Sequence, residues 1–492
     1  SLDLAHTNFR EVTDITSMFN NCTASVFDLK NSKFEKIKDF SNMFNNTSGA
    51  SKIDLSSLQF TAAEDLSNMF KNTYASEIII NTNNNIGGTH ITNMSEMFNG
   101  AQNVTSLNLG NITTGELTSI KYMFRDNSRL TSLTLPRVFN TSQVEDFSWL
   151  FAYTINLEEI GNISQLNTIS ARDMNHMLYD TRAKVSQIVP ILKTNHVTDL
   201  SYMLSESSID GDIIFSSDFH TGEVTNMEGM FAQATYYTAD ISHFDFSSVE
   251  NMSKMFMGGT TEVSYGACPH GLGMSDVIWP ANTQTTPVKT MAYLFTSNCN
   301  IKKIKAPKII APSLKDTRYA FAGLKEVTSI DLDNFDTSSV ENMEGMFSFN
   351  DTDFMKDQHI KISLNTSNVK NMSKLFHYAY VSYLDVSDFD VSKVTDFSNT
   401  FGYTWLYELD LTGWNTISAT DMTSMFEDSN WLQKIYASDS FVTTNVVASD
   451  NIFYSLPEAH YRGGAGSYIQ NNIRYAHIDG GTANPGAFWR KP

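Results

Sequence analysis

One short string constrains this chain more than any other feature. Asp14-Ile15-Thr16-Ser17-Met18-Phe19 returns as Asp39-Phe40-Ser41-Asn42-Met43-Phe44, and again as Asp65-Leu66-Ser67-Asn68-Met69-Phe70. Later copies end at Phe98, Phe124, Phe151, Leu178, Leu204, Phe231, Phe256, Phe295, Phe321, Phe347, Phe376, Phe401, Phe426 and Phe453. The steps run from 25 to 29 residues, with one of 39. Self-similarity at a fixed period of about 20 to 50 residues is the mark of a solenoid or a related array. About seventeen copies fit the chain on that reading.

Each copy carries a two-part plan. In Ile330-Asp331-Leu332-Asp333-Asn334-Phe335 apolar and polar residues alternate, which predicts a short strand with Ile330 and Leu332 on one face. Asp336-Thr337-Ser338-Ser339 follows, rich in residue types that cap helices. Val340, Met343, Met346 and Phe347 then fall at i, i+3, i+6 and i+7, the spacing of one face of a short helix. The expected fold is therefore an α/β solenoid, leucine-rich-repeat-like, of strand-plus-short-helix repeats with short parallel strands. A single repeat cannot bury its apolar stripe, so neighbour contacts should supply the stability. Most of the 22 Met residues sit in the second half of the repeat, where they read as core filler rather than metal ligands.

The repeats define the expected domains. A repeat solenoid spans 1–454, broken by an insertion at about 257–289 that holds Gly258-Gly259, Gly271, Gly273 and Trp279-Pro280. Residues 455–492 lose the pattern and are expected to cap the last open core face. The chain starts inside the pattern, at Ser1-Leu2-Asp3-Leu4, which predicts a piece of a longer polypeptide with any leader or anchor outside it.

Composition excludes several functions. The net charge of −20 argues against nucleic acid and against adsorption to anionic lipid. No apolar run approaches the ~18 residues of a membrane span. Three Cys without a C-x-x-C pair make a zinc site an unsuitable reading; Cys268 and Cys299, flanking the insertion, are a possible disulfide. The eleven His are scattered, with no H-E-x-x-H and no G-x-S-x-G, so neither catalysis nor a metal or other cofactor is expected.

Two rows stand out at matched offsets. The outward strand position is Asp3, Asp28, Asp54, Asp240, Asp331, Asp385 and Asp410, expected as a solvated polar row. Aromatics recur after the repeat Phe: Tyr153, Phe349, Tyr378 and Tyr403 two residues on, Tyr380 and Trp405 four residues on, and Trp431 five residues after Phe426. Rings beside polar groups suit sugars and proteins alike. The candidate ligand-binding residues are Tyr378, Tyr380, Tyr403 and Trp405, with Tyr236, Tyr237 and, in the insertion, Trp279.

The string Asp331-Leu332-Asp333-Asn334-Phe335-Asp336-Thr337-Ser338-Ser339-Val340-Glu341-Asn342-Met343-Glu344-Gly345-Met346-Phe347 resembles the repeat of the BspA-like leucine-rich-repeat surface proteins of lactobacilli and related Gram-positive bacteria. The similarity covers about residues 1 to 455, and Asp479-Gly480-Gly481 onward resembles the segment that closes such arrays. It implies an extracellular, cell-wall-anchored adhesin that binds host glycoprotein, mucin-like glycan, another protein or another cell. A structural stalk displaying another domain and a secreted peptide- or protein-binding module are the alternatives. With a −20 chain, a neutral glycan or a basic protein is the expected ligand.

Overall fold

The computed structural model describes all residues except 31, 33, 57–60, 81–89, 116, 183–184, 209–210, 260–273, 326, 328, 334, 350–358, 458–471, 479, 481–485 and 492; of 359–361 it describes the backbone. The chain divides into two compact units, Ser1–Tyr236 and Tyr237–Pro492.

Both units are parallel β-solenoids, as the repeat predicts. In the first, Lys52–Leu55 pairs in parallel with Glu77–Ile80, and Ser106–Asn108, Ser132–Thr134 and Glu159–Gly161 form a three-stranded sheet. In the second, His359–Lys361, Tyr383–Asp385, Glu408–Leu411 and Lys434–Ala437 form a four-stranded sheet in register, Leu384 opposite Leu409 and Leu409 opposite Ile435. Alternation holds within strands: Ile53 and Leu55 are buried, Lys52 is exposed.

The second half of the repeat is not a helix. The described residues contain one α-helix, the four residues Val185–Ile188. The coil at residues 39–47 shows what replaces it. The N–H groups of Phe40, Asn42, Phe44 and Asn46 donate to Asp65, Ser67, Met69 and Lys71 of the next coil at 2.8–3.0 Å. The N–H groups between them, Met43, Asn45 and Thr47, fold back to the carbonyls of Phe40, Asn42 and Phe44. Alternate amides thus bind the neighbour and close successive turns, so these two coils are tied together along this face as well. An isolated two-turn helix would satisfy only itself and is a poor nucleus in water.

These turns need residues with positive φ. Asn42 has φ 57° and Asn46 55°; the equivalents Asn68 and Asn72 have 55° and 53°. A positive φ at the third residue is what a type II turn requires, and Asn and Gly tolerate it best. The signal was present in the sequence as Asn, Ser and Gly at Ser17, Asn21, Asn42, Asn46, Asn68, Asn72, Gly100, Gly229, Gly345, Asn399 and Asn451, all with positive φ.

The acidic row is a set of turn caps rather than a free polar row. Asp3, Asp28, Asp54, Asp240, Asp331, Asp385 and Asp410 each accept the N–H of the residue two positions on, at 2.9–3.1 Å. This is the Asx-turn, which turns the chain out of the strand. Ser387 and Thr412 add their hydroxyls to the same carboxylates.

The core is a column of rings. Phe44, Phe70, Phe98, Phe124 and Phe151 stack with centroids 5.3–5.9 Å apart and planes within 9°. In the second unit Phe347, Phe376, Phe401, Phe426 and Phe453 stack at 5.6–5.8 Å, within 9°. All are buried, with the Met residues of the motif beside them.

At the C-terminal end, Trp489 bonds through its backbone to the strand Lys434–Ala437: its N–H donates to Ile435, and its carbonyl accepts from Ala437. Phe488 packs on Phe426, Phe441 and Phe453. Arg490 pairs with Asp439 at 3.1 Å, and Lys491 with Asp410. Cys268 lies outside the described residues, so its expected pairing with Cys299 does too; Cys22 is a free, half-buried thiol.

Candidate functional site

The side chains two residues past each repeat Phe leave the core because the turn backbone changes direction there. Phe349, Tyr378 and Tyr403 all have φ of 56–58° at this position. Bulky residues rarely adopt such a φ. Here the stacked amides hold it, and the rings form a ladder on the surface. Phe349 lies on Tyr378 at 5.2 Å and Tyr378 on Tyr403 at 4.6 Å, with planes within 18°.

A second ladder runs beside the first. Tyr380 stacks on Trp405 at 4.6 Å and 24°, and Trp405 on Trp431 at 6.0 Å and 22°. Between the two ladders lies an open groove of about 410 Å³, lined by Tyr378, Tyr380, Tyr403, Thr404, Trp405, Asp428, Asn430 and Trp431. Trp405 and Trp431 are 48% and 58% exposed, large values for indoles. Thr404 is buried and hydrogen-bonded to Ser429 and the carbonyl of Phe401, which fixes the floor.

The groove is acidic where it is polar. Tyr403 has its phenol pushed up to about 12, by partial burial first, then by the charges of Glu427 and Asp428 and a hydrogen bond to Asp428. Beneath the first ladder sits His377, edge-on to Phe349 and Tyr403 at 5.5 Å and 89°. Among the described residues its Nδ1 is buried without a hydrogen-bond partner, and burial lowers its pKa to about 4, so the ring is neutral at physiological pH. A lone His gave no sign of this place in the sequence, and neither did Asp428. Trp431 belongs to the aromatic row read from the sequence, five residues past its repeat Phe instead of four, but was not among the candidate ligand-binding residues.

The structure gathers four of the expected residues, Tyr378, Tyr380, Tyr403 and Trp405, in this one groove. Three others fall elsewhere. Tyr236 is 2% exposed and its hydroxyl bonds to Ser207 in the interior of the first unit. Trp279 is 8% exposed, packed on Phe246 and Phe256 at 5.8 and 5.5 Å. Neither presents a face to a ligand, so neither belongs to a surface site. In both cases the apolar area of the ring goes into the core, where its burial is favourable. Tyr237 is 60% exposed and heads the strand Thr238–Asp240, away from the lining of the groove.

A further aromatic edge lies in the first unit. Trp149 stacks on Tyr122 at 6.0 Å and on His176 at 3.9 Å, and His176 on Tyr202 at 5.0 Å. The Arg125 guanidinium sits 4.6 Å from the Trp149 ring centre, 5.5 Å from Tyr122 and 5.7 Å from Tyr153. Among the described residues, no three His, Cys, Asp or Glu side chains gather as metal ligands.

Comparison with known proteins adds a family. The model described as "Mycoplasma protein of unknown function, DUF285" matches residues 2–104, 74–189, 184–263, 279–359 and 315–439, most of the chain. No curated protein matches it. Among solved structures, a leucine-rich cell-surface protein of Faecalibacterium prausnitzii is 13% identical, with 87% of this chain and 88% of that one covered and a TM-score of 0.32. A leucine-rich-repeat protein of Bacteroides ovatus is 11% identical over 79% of this chain and 88% of that one, with a TM-score of 0.20.

Proposed function

This chain belongs to the DUF285 family, and from that premise we propose that it is a non-enzymatic recognition module, displayed at the cell surface, that binds a partner through the aromatic groove of its second unit. The carrying observation is the pair of surface ladders, Tyr378–Tyr403 and Tyr380–Trp405–Trp431, with an open groove between them. Rings that hold an unusual φ in successive coils and leave two indoles half exposed are badly placed for stability alone. A stalk requires only the Phe column, which passes through these coils unchanged.

The resemblance to BspA-like surface proteins supports the finer reading: an adhesin, held to the cell wall by segments beyond this sequence, that attaches to host glycoprotein, mucin or another cell. No helix among the described residues is long and apolar enough to cross a membrane. The test is attachment to immobilised mucin and to a glycan array, wild type against Tyr380→Ala/Trp405→Ala. The variant is expected to lose attachment while keeping its melting temperature within a few degrees, since both rings lie outside the core. Equal attachment by the two proteins refutes the groove as the site.

A further inference from the structure

We infer that the groove receives a cationic side chain, the guanidinium or ammonium of an arginine- or lysine-bearing segment of a partner protein. This rests on the reading of the groove as the binding site, and it names what the groove takes.

The first unit shows how this fold treats a guanidinium. Tyr122 and Trp149 lie 6.0 Å apart at 26°, and Trp149 and Tyr153 lie 6.3 Å apart at 29°. Arg125 fits against that edge within 5.7 Å of all three ring centres. Trp405 and Trp431 in the second unit repeat the spacing, 6.0 Å at 22°, with both rings open to solvent. The residue one past the repeat Phe, the place of Arg125, is Gly402 in the coil of Tyr403 and Trp405, and Glu427 in the next coil. In the coil of Tyr378 and Tyr380 the same place is His377; the indoles here stand four and five residues past their repeat Phe, where Tyr122 and Trp149 stand two before theirs, so the two edges share their ring spacing and not their place in the repeat.

Electrostatics point the same way. Asp428 lines the groove, and Glu427 and Asp428 lie close enough to Tyr403 to add, after burial, to the rise of its phenol pKa. A cation between indole rings and a carboxylate gains from both, and partial desolvation strengthens the gain. The chain as a whole carries −20, which steers a basic partner towards it and repels an anionic one. A neutral sugar could stack on the rings and donate hydroxyls to Asp428, but it would leave the charge of the carboxylate uncompensated, which a cation does not.

Titration calorimetry of the full chain at physiological salt tests this. The probes are a short neutral-flanked peptide with one arginine, the same peptide with citrulline, and a neutral oligosaccharide. The arginine peptide is expected to bind at least tenfold more tightly than the citrulline peptide. Trp405→Leu and Asp428→Asn should each weaken it at least fivefold, while Asp276→Asn, an exposed carboxylate on the strand Asp276–Ile278, leaves it unchanged. Equal binding of the arginine and citrulline peptides overturns the cationic assignment. So does equal weakening by Asp276→Asn, which would mark bulk charge attraction. If the oligosaccharide alone binds and Trp405→Leu abolishes it, the cation is refuted and the groove stands. If Trp405→Leu alters the binding of no probe, the groove falls as the site and the cation with it.

Discussion

Gly345 offers a sharp test of the turn architecture. It has φ +59°, and a Cβ built there would lie 2.2 Å from Cε1 of Tyr319 in the preceding coil. That ring fills the space a side chain would take. It stacks on Tyr293 at 5.3 Å and donates its hydroxyl to Glu344 at 3.0 Å. The Gly345→Ala change therefore has two separable costs. A non-glycine residue in the left-handed region costs about 1–2 kcal/mol. Displacing Tyr319 forces it off its rotamer, about 0.5–1.5 kcal/mol, and breaks a hydrogen bond to a charged acceptor, about 1.5–3 kcal/mol. The expected total is roughly 3–6 kcal/mol, felt locally because each coil leans only on its neighbours. In a Tyr319→Ala background the clash is gone, and only the backbone part, about 1–2 kcal/mol, should remain. The assay is a double-mutant cycle read by urea unfolding and by amide exchange in the coils of Phe321 and Phe347. A coupling energy of at least 1.5 kcal/mol follows from the argument. If Gly345→Ala costs the same with and without the Tyr319 ring, the ring does not occupy the glycine's space and the stacking of the turns is misread.

Three further outcomes are expected. Phe376→Ala removes a fully buried ring stacked at 5.6 and 5.8 Å between Phe347 and Phe401, and should cost about 3–5 kcal/mol, with amide exchange rising first in the adjoining coils. Removing residues 455–492 uncovers Phe453 and Phe426 and the edge of the strand Lys434–Ala437; the truncated chain should aggregate on mild heating, and unchanged light scattering would count against a capping role. His377, held at about 4 by burial, binds its proton more readily in the unfolded chain. Stability is therefore whole above the unfolded value near ~6.5 and declines as pH falls from there towards about 4. His176, lowered to about 4 by burial in the same way, contributes over the same window, so His377→Leu should reduce the slope of the melting temperature there without removing it, and an unchanged slope would place the acid sensitivity elsewhere.

Much of this molecule could be read from its residues. The spacing of Met-Phe pairs located the core column, and alternation in Leu409-Asp410-Leu411 located the strands. The helix expectation failed for a definable reason. Phe40, Met43 and Phe44 lie at i, i+3 and i+4 and are all buried, so linked turns and a helix share their apolar spacing. Asn42 and Asn46, set four apart among the buried positions, were the distinguishing mark, since a helix gives neither a reason to be Asn. The Asp row was legible in the same way: Asp54-Leu55-Ser56, Asp240-Ile241-Ser242 and Asp385-Val386-Ser387 spell an Asx-turn locally. The groove was partly legible, because equal offsets from successive Phe residues put Tyr378 beside Tyr403 and Tyr380 beside Trp405. Burial of Tyr236 and Trp279 was not, because each meets residues distant in sequence: Ser207 for the one, Phe246 and Phe256 for the other.

Oxidative footprinting of the indoles tests the central claim most directly, since Trp405 and Trp431 are exposed and Trp149 and Trp279 serve as internal references. The full chain is labelled free and bound to immobilised mucin, and oxidation of each Trp is read by mass spectrometry. Recognition through the groove predicts that Trp405 and Trp431 lose most of their oxidation on binding while Trp149 and Trp279 keep theirs. Bound protein in which Trp405 and Trp431 oxidise as fast as in the free chain would contradict it.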